Sequence, residues 1–493
     1  MKRVFVLLIL LLLANSLFSK SRIFSRFDYK LTYAIKNANF KRFKSVVSKY
    51  YYINARDKYD NTLLHKCVKA NLPAFVRYLL HKGAKVNVKN CYDQTPLHYA
   101  AISAHLKITN MLLKRGANMN GIDQYGYTPV FTSITNSNYR TFKVLLAKGA
   151  DLNILPASCK SIVIKAIHYR SKQILSLLYK NKANFKIKDR NGKNLISVAI
   201  TKGYKKVVKF LVERVKLNVN SKDRFLYTPL MHAIRRDYFD VCKYLIKSGA
   251  KLDIISSYGF TPLSYAALFN RIRIVKLLIK AGAKINQKNI RGRTALMFAC
   301  QKGNYKVVKI LLKNGAKINI RNRYDESALA SALALPYASA KIIELLLKNG
   351  ARIKPKNKYS KSALYVAISK RNAEAVRVLL KYGASVNEKI GYYGSPLILA
   401  ARMCNIKIID ILLSHGANIN AENNNGLTPL TYALSSQNTW LAEKLVKRGA
   451  DINYKNKKGL TPLDYAKKTR NGRIIEFVRK RLLKNKSNKN IDR

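Results

Sequence analysis

The chain has 493 residues, with 94 Lys and Arg against 24 Asp and Glu, a net charge of +70. That excess is far beyond what solubility requires. It points either to a polyanionic partner or to a bias of composition, since Lys, Asn, Ile and Tyr are all abundant. The six cysteines contain no C-x-x-C and no Cys/His ligand spacing, so zinc is not supported.

In chain order, residues 1–19 come first. Lys2 and Arg3 precede the apolar run Val4 to Ala14, and Asn15-Ser16-Leu17-Phe18-Ser19 follows, the layout of a secretory signal peptide with cuts after Ser16 or Ser19. The run falls short of the roughly 20 residues a membrane span needs. The expected fate is export, to a periplasm or as a secreted protein. The alternative is membrane retention through an uncleaved amino-terminal segment, which the basic residues Lys20, Arg22, Arg26 and Lys30 favour. Residues 20–28 are a short lead-in.

From residue 29 onward one pattern returns. Thr261-Pro262-Leu263-Ser264-Tyr265-Ala266-Ala267, followed by Leu277-Leu278-Ile279-Lys280-Ala281-Gly282, comes back thirty-three residues later as Thr294-Ala295-Leu296-Met297-Phe298-Ala299 and Leu311-Leu312-Lys313-Asn314-Gly315. The opening hydroxyl caps a first helix, and proline suits its first turn. A second helix carries Ile274, Val275, Leu277 and Leu278 at helical spacing. It ends on Lys280 and then Gly282, where a left-handed backbone costs little. Asn286 to Gly292 read as a loop or hairpin leading to the next opening residue.

Thr95-Pro96-Leu97-His98-Tyr99-Ala100-Ala101 matches the T-P-L-H-x-A signature of ankyrin repeats, and the chain resembles that family in its exported, bacterial-type, multi-repeat form. Openings fall at 62, 95, 128, 161, 194, 228, 261, 294, 327, 362, 395, 428 and 461, and residues 29–53 fit one further unit. The resemblance implies an all-α, α-rich solenoid of about 13–14 helix-turn-helix units with short hairpin fingers. It also implies a non-catalytic scaffold that binds another protein through fingers and first helices.

The units at Ser161 and Asn194 lack the Thr-Pro opening, with Lys182 and Val215 where glycine is expected. An extra residue precedes Thr228, near Glu213 to Asn218, and a second insertion lies near Leu335-Pro336-Tyr337. The expected organisation is therefore a first array over 29–153, degenerate units and a join over 154–220, a second array over 221–482, and a frayed basic tail over 483–493.

Charge is uneven within the units. The thirteen finger segments hold 19 basic and 10 acidic residues, whereas the second helices hold 35 and 7. The excess lies away from the face that ankyrin proteins use. The alternative function is then electrostatic binding of polyanions, or of anionic membrane or envelope surfaces, through the second helices. Three residues before the opening stand Tyr59, Tyr92, Tyr125, Phe225, Tyr258, Tyr324, Tyr359 and Tyr392, large rings with the character of interface anchors. With Arg321, Arg323, Lys356 and Lys358 they form the candidate partner-binding set. His65 and His98 are explained by hydrogen bonding at the fourth place of the signature. No triad, paired-carboxylate, metal or phosphate-loop spacing occurs, so the sequence predicts no enzyme, no cofactor, no metal and no small-molecule substrate. A monomer is expected.

Overall fold

A computed structural model describes residues 29–49, 53–135, 138–154, 161–334, 339–353, 362–389 and 394–491. The expected signal peptide, Cys159 and the second insertion lie outside them. By its contacts the chain divides into two compact units, one ending at Arg224 and one beginning at Phe225.

Both units are built the same way. Each of the thirteen repeats contributes a short first helix and a longer second one, for example Pro262–Leu268 and Ile272–Lys280, then Ala295–Gln301 and Tyr305–Lys313. An amino-terminal pair, 29–36 and Phe40–Lys49, precedes them. Within each unit, first helices line up against first helices, and second helices lie against second helices. The core is the seam between these two rows, filled by residues such as Leu263, Ala266, Ile274, Val275 and Leu278. Small residues such as Ala266 and Ala267 let the first helices approach closely.

The opening residues act as caps. Thr261 Oγ1 accepts from the Ser264 N–H at 3.1 Å, and the Ser264 hydroxyl in turn accepts from the Thr261 N–H at 2.8 Å. Repeats expected to be degenerate are capped as well: Ser161 Oγ accepts from the Ile164 N–H at 3.3 Å and Asn194 Oδ1 from the Ser197 N–H at 2.9 Å. Their helix pairs, Ile162–His168 with Lys172–Lys180 and Leu195–Thr201 with Lys205–Glu213, are complete.

Second helices end in a left-handed residue. Gly282 takes φ +86° and the following Ala283 N–H reaches back to the Leu278 carbonyl at 3.0 Å. In the Ser161 repeat Lys182 takes that conformation at φ 57°. In the next repeat the position belongs to Lys216, also at φ 57°, and not to Val215. The extra residue explains the shift, because Leu217 N–H bonds to Leu211 six residues back instead of five.

Among the described residues the fingers are tight loops with only isolated antiparallel bridges, Arg56 to Thr62 and Lys188 to Asn194, in keeping with the loop or hairpin expected there. One other expectation changes. The basic stretch expected as a frayed tail is instead helical, since the last helix runs Gly472–Ile491.

Candidate interaction surface

Among the described residues, fingers are held by a side chain at the base. Asn90 Oδ1 accepts from the N–H groups of Tyr92 and Gln94 at 3.0 and 2.9 Å, and Asp123 Oδ1 does the same for Tyr125 and Tyr127 at 2.9 Å. Successive fingers are then tied through backbone: Cys91 N–H to the Tyr59 carbonyl at 3.1 Å, Gln124 N–H to Tyr92 at 3.0 Å, Ser257 N–H to Phe225 at 3.0 Å. The backbone of the tip aromatics is fixed in this way, and their rings project outward. Tyr59, Tyr92, Tyr125, Phe225, Tyr258 and Tyr324 are all exposed.

The rings differ in company. Lys58 Nζ sits 5.0 Å above the ring of Tyr59. Tyr125 leans on Tyr127 of its own finger, which stacks on Phe131 at 4.4 Å, and Lys165 covers Tyr127 and Phe131 at 4.7 and 4.1 Å. Phe225 and Tyr258, on adjacent fingers, meet at 6.0 Å. Tyr324 has no ring partner among the described residues. Arg321 is not free for a partner, because its guanidinium bonds the Asp325 carbonyl at 2.6 Å and its carboxylate at 3.2 Å. Arg323 is exposed. Lys356, Lys358, Tyr359 and Tyr392 lie outside the described residues.

Sequence reasoning missed the rings that join this row to the first helices. Tyr227, one residue before Thr228, meets Tyr258 at 6.3 Å and Tyr265 at 5.4 Å; Phe260 meets Tyr265 at 5.3 Å and Phe298 at 5.0 Å. Phe225, Tyr227, Tyr258, Phe260, Tyr265 and Phe298 therefore form one connected aromatic cluster that runs from the exposed tips Phe225 and Tyr258 to the buried Tyr265 and Phe298. The available signal was an aromatic one place before and four places after the opening residue. Leu226 was missed as well. It occupies a place where every other described finger of this length has Gly or Asp, with φ 58° and 41% of its surface exposed. A leucine there is strained and wet, a combination that packing does not reward.

The histidines are structural. His65 Nδ1 accepts from the Thr62 N–H at 3.1 Å, and Nε2 donates to the Gln94 carbonyl of the next repeat at 3.0 Å. Burial lowers its pKa to about 4, so it is neutral. His98 repeats the arrangement and is lowered for the same reason. Cys67, Cys242 and Cys300 are buried thiols raised by desolvation, Cys242 to about 12. Cys91 and Cys404 are exposed and free. Among the described residues no three His, Cys, Asp or Glu side chains form a metal-sized group.

The second helices differ in their acids: Pro73–His81, Leu106–Lys114, Tyr139–Ala147 and Lys172–Lys180 carry none, and Lys205–Glu213 and Phe239–Lys247 carry one each. From Ala340 onward each second helix carries a carboxylate that reaches a cation on the next one: Glu344 to Lys381 at 3.3 Å, Glu374 to Lys407 at 3.2 Å, Asp410 to Arg448, Glu443 to Arg481 at 3.5 Å. Lys381 and Lys407 hold Glu344 and Glu374 below the usual carboxylate range. The helices Ile272–Lys280 and Tyr305–Lys313 have no carboxylate at all.

Against known families, residues 88–155, 215–289, 257–322, 283–357, 322–390 and 397–492 match a model of ankyrin repeats in three copies, and residues 59–91 match the single ankyrin repeat. These spans cover well over half of the chain. The chain belongs to the ankyrin-repeat family. Ankyrin-repeat proteins are generally non-enzymatic scaffolds that bind other proteins. Similar curated proteins include alpha-latrocrustotoxin-Lt1a of Latrodectus tredecimguttatus, 36% identical over 91 residues, which are 18% of this chain and 6% of the toxin. Dauer abnormal formation protein 25 of Caenorhabditis elegans is 33% identical over 101 residues, 20% of this chain and 26% of that protein. The chain thus matches only a small part of the length of either relative.

Proposed function

We propose that this ankyrin-repeat protein is a non-catalytic scaffold that captures a protein partner on its fingers and first helices, centred on Phe225, Leu226 and Tyr258. The observation that carries the reading is Leu226, an exposed leucine in left-handed backbone beside two exposed rings. Strain and solvent-exposed apolar area both oppose it in the free protein, and a partner that covers the tip takes that apolar area out of water. Fingers fixed by backbone bonds lose little conformational freedom on docking, so little of the contact energy is lost to ordering.

The test is site-specific photocrosslinking from position 258 in native cells at low and high salt. Adducts that persist at high salt and vanish with Phe225→Ser and Leu226→Gly support the scaffold. Adducts lost steeply as salt rises support the competing reading, capture of polyanions or anionic membrane or envelope surfaces by the second helices. We also propose export by the amino-terminal segment. Sequencing the amino terminus of the recovered protein tests it: a start at 17 or 20 supports cleavage, and a start at Met1 or Lys2 supports retention.

A further inference from the structure

Between the helices Ile272–Lys280 and Tyr305–Lys313 runs an open groove of about 590 Å³. Its floor is apolar, formed by the half-buried Ile272, Ile279 and Ile310. Its rims are basic: Lys276 and Lys280 on one side, Lys306, Lys309 and Lys313 on the other, all exposed. No ion pair engages any of these five lysines among the described residues. The arginines at the start of Ile272–Lys280 are already engaged, Arg271 with Asp237 at 3.3 Å and Arg273 over the ring of Phe239 at 4.2 Å.

The contrast with the second helices that follow, from Ala340 onward, decides what fits. Along the helices from Ala340 onward, the carboxylate of one second helix meets a lysine of the next across the interhelical gap, as Glu344 meets Lys381 and Glu374 meets Lys407. The protein's own solution to a second-helix lysine is thus a carboxylate on a helix lying alongside. The groove at Ile272 to Lys313 has the lysines and lacks that helix.

We propose that this groove docks an amphipathic acidic helix of a partner protein, its carboxylates on the two lysine rims and its apolar residues on the isoleucine floor. The spacing suits a helix. Ile272 and Ile279 are seven residues apart, two turns and about 10 Å along the axis. Lys276 with Lys280, and Lys309 with Lys313, repeat every four residues, the interval at which a facing helix presents acids on one side. A polyphosphate or nucleic-acid strand satisfies the rims but leaves the floor without apolar contact, so the protein helix is the occupant favoured here. This surface is separate from the finger tips and does not depend on them.

The probe is a synthetic fluorescent peptide with Glu at i, i+4 flanking a Leu stripe, compared with a scrambled peptide of the same composition. Both are titrated into the full chain by anisotropy at physiological salt. The patterned peptide is expected to bind at least tenfold more tightly than the scrambled one. Binding should fall at least tenfold in Lys276→Glu/Lys309→Glu and in Ile279→Ser/Ile310→Ser, and stay unchanged in Arg140→Glu/Lys143→Glu, which removes the same charge elsewhere. Zero-length carbodiimide coupling to the unmutated protein should join the peptide's carboxylates to Lys276 or Lys309, a readout that needs no variant to fold. The proposal is overturned by equal binding of the scrambled peptide, by equal loss in the Arg140/Lys143 control, or by crosslinks spread over other second helices. It is also overturned if inorganic polyphosphate displaces the peptide while the Ile279/Ile310 variant still binds it, which would make the groove a polyanion site.

Discussion

The imidazole Nε2 of His98 lies 2.9 Å from the backbone carbonyl of Tyr127, so a side chain in one repeat's first helix closes a hydrogen bond on the next repeat's finger. His65 does the same to Gln94 at 3.0 Å. The signature histidine is therefore a coupling between neighbours as well as a cap within its own repeat. Removing it by His98→Ala should destabilise the unit ending at Arg224 by about 2 kcal/mol, the sum of the lost bonds, since the Tyr127 carbonyl keeps its bond from the Asp123 N–H at 3.0 Å. Urea unfolding followed by far-ultraviolet circular dichroism measures this.

The same residues set a pH dependence. His65 is neutral in the folded chain with a pKa near 4, against 6.5 in the unfolded chain. The unfolded state binds the extra proton first, so stability is fully present above pH 6.5 and is lost as pH falls toward about 4. The loss across that window is about 3 kcal/mol from His65, and His98, lowered in the same direction, adds to it. A His65→Gln/His98→Gln variant should be less stable at pH 7.5 and much flatter between pH 6.5 and 4. Thermal melts at half-unit pH steps check both parts.

Leu226→Gly offers a test of opposed effects. Glycine relieves the φ 58° strain, and stability should rise by about 1 kcal/mol. Partner capture at the finger tips should fall at the same time. A variant that is more stable and binds equally well would show that Leu226 has no part in recognition.

Asn87 spans two repeats. Its Oδ1 accepts from the Asn118 N–H at 2.8 Å and its Nδ2 donates to the Gly116 carbonyl at 3.1 Å. Asn286 makes the matching pair with Lys317 and Gly315, and Asn387 with Asn418 and Gly416. Asn87→Ala should cost about 1–2 kcal/mol, and Asn87→Asp, which keeps the acceptor and loses the donor, should cost less. Hydrogen exchange at the Asn118 amide should rise in the alanine variant first.

Thiol labelling should separate the cysteines by burial. Cys91 and Cys404 should modify readily in the native protein, and Cys67, Cys242 and Cys300 only after unfolding. Peptide mapping after brief maleimide treatment reads the sites directly.

Much of the architecture was readable because its causes are local. A hydroxyl before proline, an apolar stripe and a glycine after lysine each act within one turn, and repetition multiplies the signal. The left-handed turn between the two helices was not readable, because the residues there, Asn71, Ala104, Arg170, Asp237 and Cys404 among them, share no chemistry. The asparagine bridges were hidden for another reason. Asn54, Asn87 and Asn120 stand at one phase of the repeat, but their bonds reach 31 residues ahead, to Lys85, Asn118 and Asp151. The tip aromatics were visible as a row. Their connection through Tyr227, Phe260, Tyr265 and Phe298 depends on how adjacent fingers lie on the helices beneath them. The lysine groove depends on which helix next door lacks an acid, and a single repeat does not contain that information.

The carboxylates at Glu344, Glu374, Asp410 and Glu443 give the carboxyl-terminal second helices fixed counter-charges of their own. The helices at Ile272 and Tyr305 must draw theirs from dissolved ions or from a visitor. Ionic strength is therefore not a uniform background for this molecule. Diluting the surrounding electrolyte should loosen the stretches whose second helices carry no acid, Ile272–Lys280 and Tyr305–Lys313 among them, while the stretch from Ala340 onward barely responds.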